Sequence, residues 1–138
     1  MNRTEIITFM KTNPTCYLAT IEENAPRVRP IEMYRISEKE IIIQTNITKD
    51  LNKQMLKNSN IEILFFNKQS SDNQIRVRGI VEPLNDPAML KKVVEDRPFL
   101  KDAAARGNGP ALFRVTNPRA YVWVPENGYA PKEFVNLF

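Results

Sequence analysis

The β-forming runs of this chain are joined by turns so short that consecutive strands must double back on one another. Cys16-Tyr17-Leu18-Ala19-Thr20-Ile21 reads as a mostly buried strand, Glu22-Glu23-Asn24 turns the chain, and residues 27–36 read as the next strand. Ser37-Glu38-Lys39 is again a turn, and the strand over 40–45 carries the β-branched run Ile41-Ile42-Ile43. Residues 61–66 and 74–83 supply further strands, and so do Leu112 to Thr116 and Ala120 to Val124, with a turn expected at Asn117-Pro118. Helical spacing interrupts the strands. Asn2 and Glu5 form a capping box ahead of Ile6, Ile7 and Met10, which predicts a helix over 3–12 stopped by Asn13-Pro14. Leu51, Met55 and Leu56 suit one face of a helix over 48–58, and Asp86-Pro87 opens another that holds Met89, Leu90, Val93 and Val94. The expected fold is mainly β (α+β), an antiparallel barrel with a few peripheral helices, forming a single domain over 1–138.

Composition narrows the chemistry. With 138 residues and 42% hydrophobic content the chain can bury one packed core. A net charge of +4 permits an anionic ligand, but the basic residues form no long run of the kind found in nucleic-acid tails. Cys16 is the sole cysteine, so no internal disulfide is available, which fits a reducing, cytoplasmic compartment. Histidine is absent. That excludes the usual structural zinc sites, Ser-His-Asp and Cys-His catalysis, and axial His ligation of a haem. No apolar leader follows Met1, and Ile63-Leu64-Phe65-Phe66 is far too short to span a bilayer. Gly107 and Gly109 make no dinucleotide fingerprint, and there is no Walker loop.

The chemistry-bearing segment is Thr45-Asn46-Ile47-Thr48-Lys49-Asp50, between a strand and a helix. Unpaired backbone N–H groups and the helix dipole favour an anion there. A lysine has the wrong charge for that end of a helix, and a bound phosphate would remove the conflict. Thr48 as a plain N-cap, with Lys49 in water, is the alternative. Arg29 shares a strand face with Ile31 and Met33, so it needs an anionic partner: Glu32, Glu40 or a phosphate. Pro30 has no N–H and belongs at an edge or a bulge. Gln54 either reads the polar edge of a ring or is solvated. Arg76 and Arg78 fall on the strand face opposite Ile75, Val77, Gly79 and Val81 and read as solvated.

Taken in order, Tyr17-Leu18-Ala19-Thr20, Pro26-Arg27-Val28-Arg29-Pro30, Thr45 to Asp50, Gln54-Met55 and Arg76-Val77-Arg78-Gly79 resemble the pyridoxamine-phosphate-oxidase-like flavoproteins, which have a split β-barrel. The branch most similar is the nitroimidazole-resistance type. The similarity spans about residues 14–95 and fades through 96–138. The resemblance implies FMN, or the deazaflavin of some relatives, at the interface of a homodimer. It implies that Arg29 and Lys49 hold the phosphate, with Thr45, Asn46 and Thr48 nearby. It implies backbone around Pro30 and Ile31 against the isoalloxazine, Gln54 completing the pocket, and Trp123 contributed from the partner subunit. Some of these relatives carry a histidine near the flavin, and this chain has none. The C-terminal Arg and His residues with which pyridoxamine oxidase reads its substrate phosphate have no match either, so vitamin B6 oxidation is not expected.

The function expected is therefore that of an FMN-dependent oxidoreductase. It would reduce a small molecule with electrons from NAD(P)H, the flavin carrying the chemistry and no side chain acting as a catalytic group. The alternatives are a flavin-binding protein without turnover and a small basic barrel that binds nucleic acid through Arg76, Arg78 and aromatic residues. The tail residues Tyr121, Trp123, Tyr129, Phe134 and Phe138 show little periodicity after Val124, and such a cluster of aromatics is expected to lie at a subunit interface.

Overall fold

In the computed structural model, which describes residues 1–138, the first helix, α1 (Arg3–Thr12), starts at the expected capping box. The Asn2 side chain accepts from the Glu5 backbone, and the Glu5 carboxylate accepts from the Asn2 backbone. Strands β1 (Thr15–Glu22) and β2 (Ala25–Glu32) form a hairpin, with Glu23 at a positive φ of 57° in the turn. The expected strand over 27–36 is broken: Met33 and Tyr34 leave the ladder, the Met33 N–H donates to the Pro14 carbonyl, and the chain resumes as β3 (Arg35–Ile36). There follow β4 (Ile41–Asn46), α2 (Asp50–Lys57), β5 (Asn60–Phe66) and β6 (Gln74–Pro83). Helix α3 (Pro87–Asp96) is capped by the Asp86 carboxylate, which accepts from the N–H groups of Ala88 and Met89. A short α4 (Leu100–Ala105), not foreseen in the sequence, precedes β7 (Pro110–Trp123), and β8 (Val135–Asn136) closes the chain.

All pairings are antiparallel, in the order β2-β1-β5-β6-β7-β4-β3, with β8 added on β7. The sheet curls into a split barrel with helices outside. The turn expected at Asn117-Pro118 does not end a strand. β7 runs through it as one element, because pairing with β6 continues on both sides across a bulge near Gly79. Asn117 absorbs the bend at φ 49°. Pro30 lies on β2, an edge strand, where a missing N–H leaves no ladder bond unmade.

Inward positions of the strands fill the barrel: Cys16 and Leu18, Ile61, Ile63 and Phe65, Ile75 and Val77, joined by Ile6, Ile7 and Met10 of α1. Ile42 points the other way and packs with Val93, Leu100 and Leu112 beneath α3 and α4. That accounts for the uninterrupted Ile41-Ile42-Ile43 run: β4 is buried on both faces, and each such side chain contributes roughly 1.5–3 kcal/mol. Arg76 departs from the expected solvated reading. It is half-buried, donating to the Tyr121 hydroxyl (3.3 Å) and to Gln74 Oε1 (2.7 Å), with its guanidinium over the Tyr121 ring. Tyr121 itself is buried, with Phe134 edge-on to it at 5.2 Å, so part of the aromatic tail folds back onto its own sheet.

Gly79 permits a close approach of β6 to β7. A Cβ there would sit 2.5 Å from Val115 Cγ1 and 3.3 Å from the Thr116 carbonyl oxygen. Gly79→Ala should lower stability by about 1–3 kcal/mol in urea unfolding. Adding Val115→Ala removes the colliding methyl, so the double variant should be less destabilised than the sum of the two singles. Simple additivity would show that the bulge, and not this contact, demands glycine. Cys16 gives a pH test. Burial raises its thiol pKa from 9.0 to about 12. Above pH 9 the unfolded chain loses this proton while the folded chain keeps it, so stability should fall as pH rises from 9 towards 12, by up to about 1.4 kcal/mol per pH unit. Cys16→Ala should remove that component of the slope, and an unchanged slope would contradict it.

Candidate functional site

Strands β2 and β4 make no ladder with each other, and the split between them holds a cleft of about 390 Å³. One wall is β2, with Arg29, Pro30 and Ile31. The other is the end of β4, with Gln44 and Thr45, and the start of α2, with Lys49, Leu51 and Gln54. Six of the expected residues thus come together here: Arg29, Pro30, Ile31, Thr45, Lys49 and Gln54. The volume falls in the range of small-molecule sites, roughly 300–1,000 Å³.

The N-terminus of α2 differs from the simple expectation. Lys49, not Thr48, occupies the N-cap position, and no side chain caps the helix. An ammonium cannot accept from backbone N–H groups, so the helix end keeps its donors free and adds an unpaired cation, Lys49 Nζ, beside them. Thr48 lies outside the cleft and is exposed; its backbone N–H donates to Asn108 Oδ1 at 3.1 Å. Asn46 also turns away, donating through Nδ2 to the Asn108 carbonyl at 2.9 Å. The Ile47 N–H donates to the Gly109 carbonyl at 2.9 Å. Both Asn46 and Thr48 therefore brace the turn after β4 against the loop before β7. Trp123 lies in a different groove, covered by its own C-terminal segment, where a Cβ on Gly128 would stand 3.4 Å from the indole.

Arg29 meets neither Glu32 nor Glu40. Its Nη1 donates to Thr20 Oγ1 at 2.7 Å and to the Leu18 carbonyl at 3.1 Å, and its Nη2 donates to Gln54 Oε1. Glu40 is paired with Arg35 instead, at 3.1 Å. Partial burial pulls the Arg29 pKa below its ordinary value, an effect that Asp50 opposes. Glu22 stands at the rim, accepting from Gln54 Nε2 at 3.3 Å and from Arg27 Nη2 at 3.1 Å. The Gln54 amide and then Arg27 hold its carboxyl below the usual range. Gln54 is neither a free ring reader nor solvated: it is 5% exposed and engaged at both ends of its amide.

Thr45 is the residue without an internal explanation. It is 3% exposed, lines the cleft, and its hydroxyl has no partner in the protein. An unpaired buried hydroxyl costs on the order of 1–3 kcal/mol, so a ligand that bonds it recovers that cost. Sequence reasoning missed Thr20, Glu22, Arg27 and Gln44. Thr20 had a signal, since it follows Cys16 and Leu18 in the inward alternation of β1 and is a hydroxyl where an apolar side chain is expected. Gln44 had none: its role comes from Arg97 at the C-terminal end of α3, whose Nη1 donates to Gln44 Oε1 at 2.7 Å and Nη2 to the Glu32 carbonyl at 3.0 Å.

The sequence pattern of pyridoxamine 5'-phosphate oxidase matches residues 3–123. No protein of curated function matches the chain. Among solved structures, a NimC/NimA family protein from Clostridium acetobutylicum is 28% identical, covering 96% of this chain and 91% of its own, with a TM-score of 0.74. A protein related to general stress protein 26, of the pyridoxinephosphate oxidase family and from the same organism, is 12% identical over 100% of both chains, with a TM-score of 0.73. A heme binding protein from Mycobacterium smegmatis shares the fold at 9% identity and a TM-score of 0.70, covering 99% of this chain and 59% of its own. The fold and the cleft in its split define a split-barrel protein, and the chain belongs to the pyridoxamine 5'-phosphate oxidase family, with the nitroimidazole-resistance-type branch supported.

Proposed function

We propose that the split binds FMN and that the protein is a homodimeric flavoprotein oxidoreductase acting on a small molecule. The observation that carries this reading is the orphaned Thr45 hydroxyl, buried in the same cleft as Arg29 and Lys49 at an uncapped helix N-terminus. The donor set fits a phosphate monoester on a polar heterocycle. Arg29 and Lys49 supply the positive charge, the first turn of α2 supplies N–H donors, and Thr45 supplies a hydroxyl. Pro30 and Ile31 offer the flat, edge-strand backbone against which a ring system can lie. When bound, the flavin supplies two-electron transfer from a reduced nicotinamide donor, and the protein binds, orients and shields it. A chain without histidine lacks the usual axial ligand for a haem, which favours flavin over the ligand named for the mycobacterial relative.

The dimer reading rests on the outer face of the β2-β1-β5-β6 sheet. Val28 is 71% exposed there, beside exposed Tyr17 and Ile80 and half-buried Leu64 and Phe66. A second copy seated on that face would bury it, and the family resemblance assigns that copy's Trp123 to the split. Nucleic-acid binding finds less support, because Arg78 is paired with Glu62 at 2.9 Å and Arg76 is committed to Gln74 and Tyr121. No helix is long and apolar enough to cross a membrane.

Arg29→Ala and Lys49→Ala should each weaken FMN binding by about 1.5–3 kcal/mol while affecting riboflavin, which lacks the phosphate, much less. Equal losses for both ligands, read by flavin fluorescence titration, would overturn the phosphate assignment. Mass spectrometry of the ligand released on denaturation separates FMN from a deazaflavin, and oxidation of NAD(P)H by the loaded protein separates turnover from flavin storage. In analytical ultracentrifugation the flavin-loaded protein should sediment as a dimer, and Val28→Glu should shift it to monomer with weaker flavin retention. A flavin-loaded monomer would sink the shared-site arrangement.

A further inference from the structure

The side chains that hold Arg29 form a hydrogen-bond chain with a fixed polarity. A guanidinium only donates and an ionised carboxylate only accepts. Gln54 lies between the two: its Oε1 accepts from Arg29, and its Nε2 donates to Glu22 Oε2 at 3.3 Å. The reverse amide orientation would set N–H against the guanidinium and carbonyl oxygen against carboxylate, so Glu22 and Arg29 together leave a single orientation. Thr20 Oγ1 accepts from Arg29 Nη1 at 2.7 Å, which directs its own hydrogen to Gln54 Oε1 at 2.6 Å. Thr20 and Gln54 are 2% and 5% exposed, so water does not compete for the Thr20–Gln54 bond, whereas Glu22 stands at the solvent-exposed rim. Arg27 holds the other oxygen of Glu22 at 3.1 Å and anchors the surface end of the chain.

None of the groups touching Arg29 is charged, and no carboxylate pairs with it. A threonine hydroxyl, a main-chain carbonyl and a primary amide orient the guanidinium without neutralising it. Its Nε–H and one Nη2 hydrogen donate to no protein atom, and these are the donors that an oxyanion can take as a pair. Resting on the flavin-phosphate reading, we propose that Thr20, Gln54 and Glu22 are positioning residues that hold the Arg29 fork open towards the cleft, and that Gln54 acts on the ligand through Arg29 rather than by reading the ring. The chemistry explains why position 54 carries an amide. A carboxylate there would hold Arg29 equally well but would cancel the charge on which an anion depends.

The test uses the full chain and two independent readouts: affinities for FMN and riboflavin, and the ¹⁵N resonances of the Arg29 guanidinium. Thr20→Val and Gln54→Leu should each weaken FMN by about tenfold or more, change riboflavin by less than about threefold, and collapse the resolved Nη resonances of Arg29 into an averaged signal. Thr20→Ser should restore both readouts. Gln54→Glu should also weaken FMN yet leave the Nη resonances resolved, which separates positioning from charge. Should Gln54→Leu fail to fold, Gln54→Asn shortens the reach by one methylene and should give the same pair of changes. Equal loss of FMN and riboflavin in Gln54→Leu would overturn the proposal by making Gln54 a ring contact. Unchanged FMN affinity would overturn it too. A wild-type protein that binds neither flavin would refute the flavin reading alone. The chain would then be judged by Arg29: resolved Nη resonances lost in Thr20→Val support it, and averaged resonances in the wild type overturn it.

Discussion

The sheet of this protein curls almost into a barrel but its two ends do not pair, and β2 faces β4 across a split without a single ladder bond between them. Two guanidinium groups span that gap. At one end Arg29 reaches from β2 to Gln54 on α2; at the other, Arg97 ties the Glu32 carbonyl at the end of β2 to Gln44 on β4. A closed barrel would have satisfied these edges with backbone hydrogen bonds and left no cleft. Bridging by long side chains keeps the walls apart at a fixed width and leaves polar groups facing the space between them.

The rest of the fold supports that arrangement. Burying β4 on both faces, against the barrel core and against α3 and α4, fixes the strand that delivers Thr45 to the cleft. The turn after β4 is pinned from outside through Asn108 and Gly109, so the start of α2 is positioned by contacts with the loop before β7 and not by a conventional side-chain cap. The cleft thus has a braced wall beside its positive charge and the Thr45 hydroxyl. It is open along β2, where pattern and exposure leave apolar side chains such as Val28 uncovered. A braced donor wall with an open apolar rim suits a ligand that is anionic at one end and flat at the other.

Arg76 shows how a local reading can misplace a residue. Alternation along β6 sends Arg76 outward, a position that predicts a solvated side chain. The outer face instead carries Tyr121 and Gln74, which hold the guanidinium half-buried. Trp123 ends β7, and the segment after it folds back over the indole, so within one chain it is far from being a free contributor to the split. Similarly, Asn117-Pro118 has every local mark of a turn, yet β6 runs alongside and carries β7 through the bend.

Local sequence patterns specify most of the elements and the polar turn. The capping box at Asn2, the Ile41 to Ile43 run, Asp86-Pro87 and the strand–turn–helix at Thr45 to Asp50 are all local patterns, and local patterns are read from spacing. Charge on an apolar strand face and donors at a helix start brought Arg29 and the Thr45 to Asp50 segment forward as separate anion-binding candidates, and the family resemblance joined them in one site. What Arg29 touches was set by the fold, because Thr20 and Gln54 stand 9 and 25 residues from it and lie on different elements. The fold also decided that Lys49 and not Thr48 occupies the cap, that Gln54 is committed at both ends, and that the Thr45 hydroxyl is left without a partner. Those outcomes depend on which groups meet across the split, and no periodicity along the chain encodes the distance between two strands that never pair.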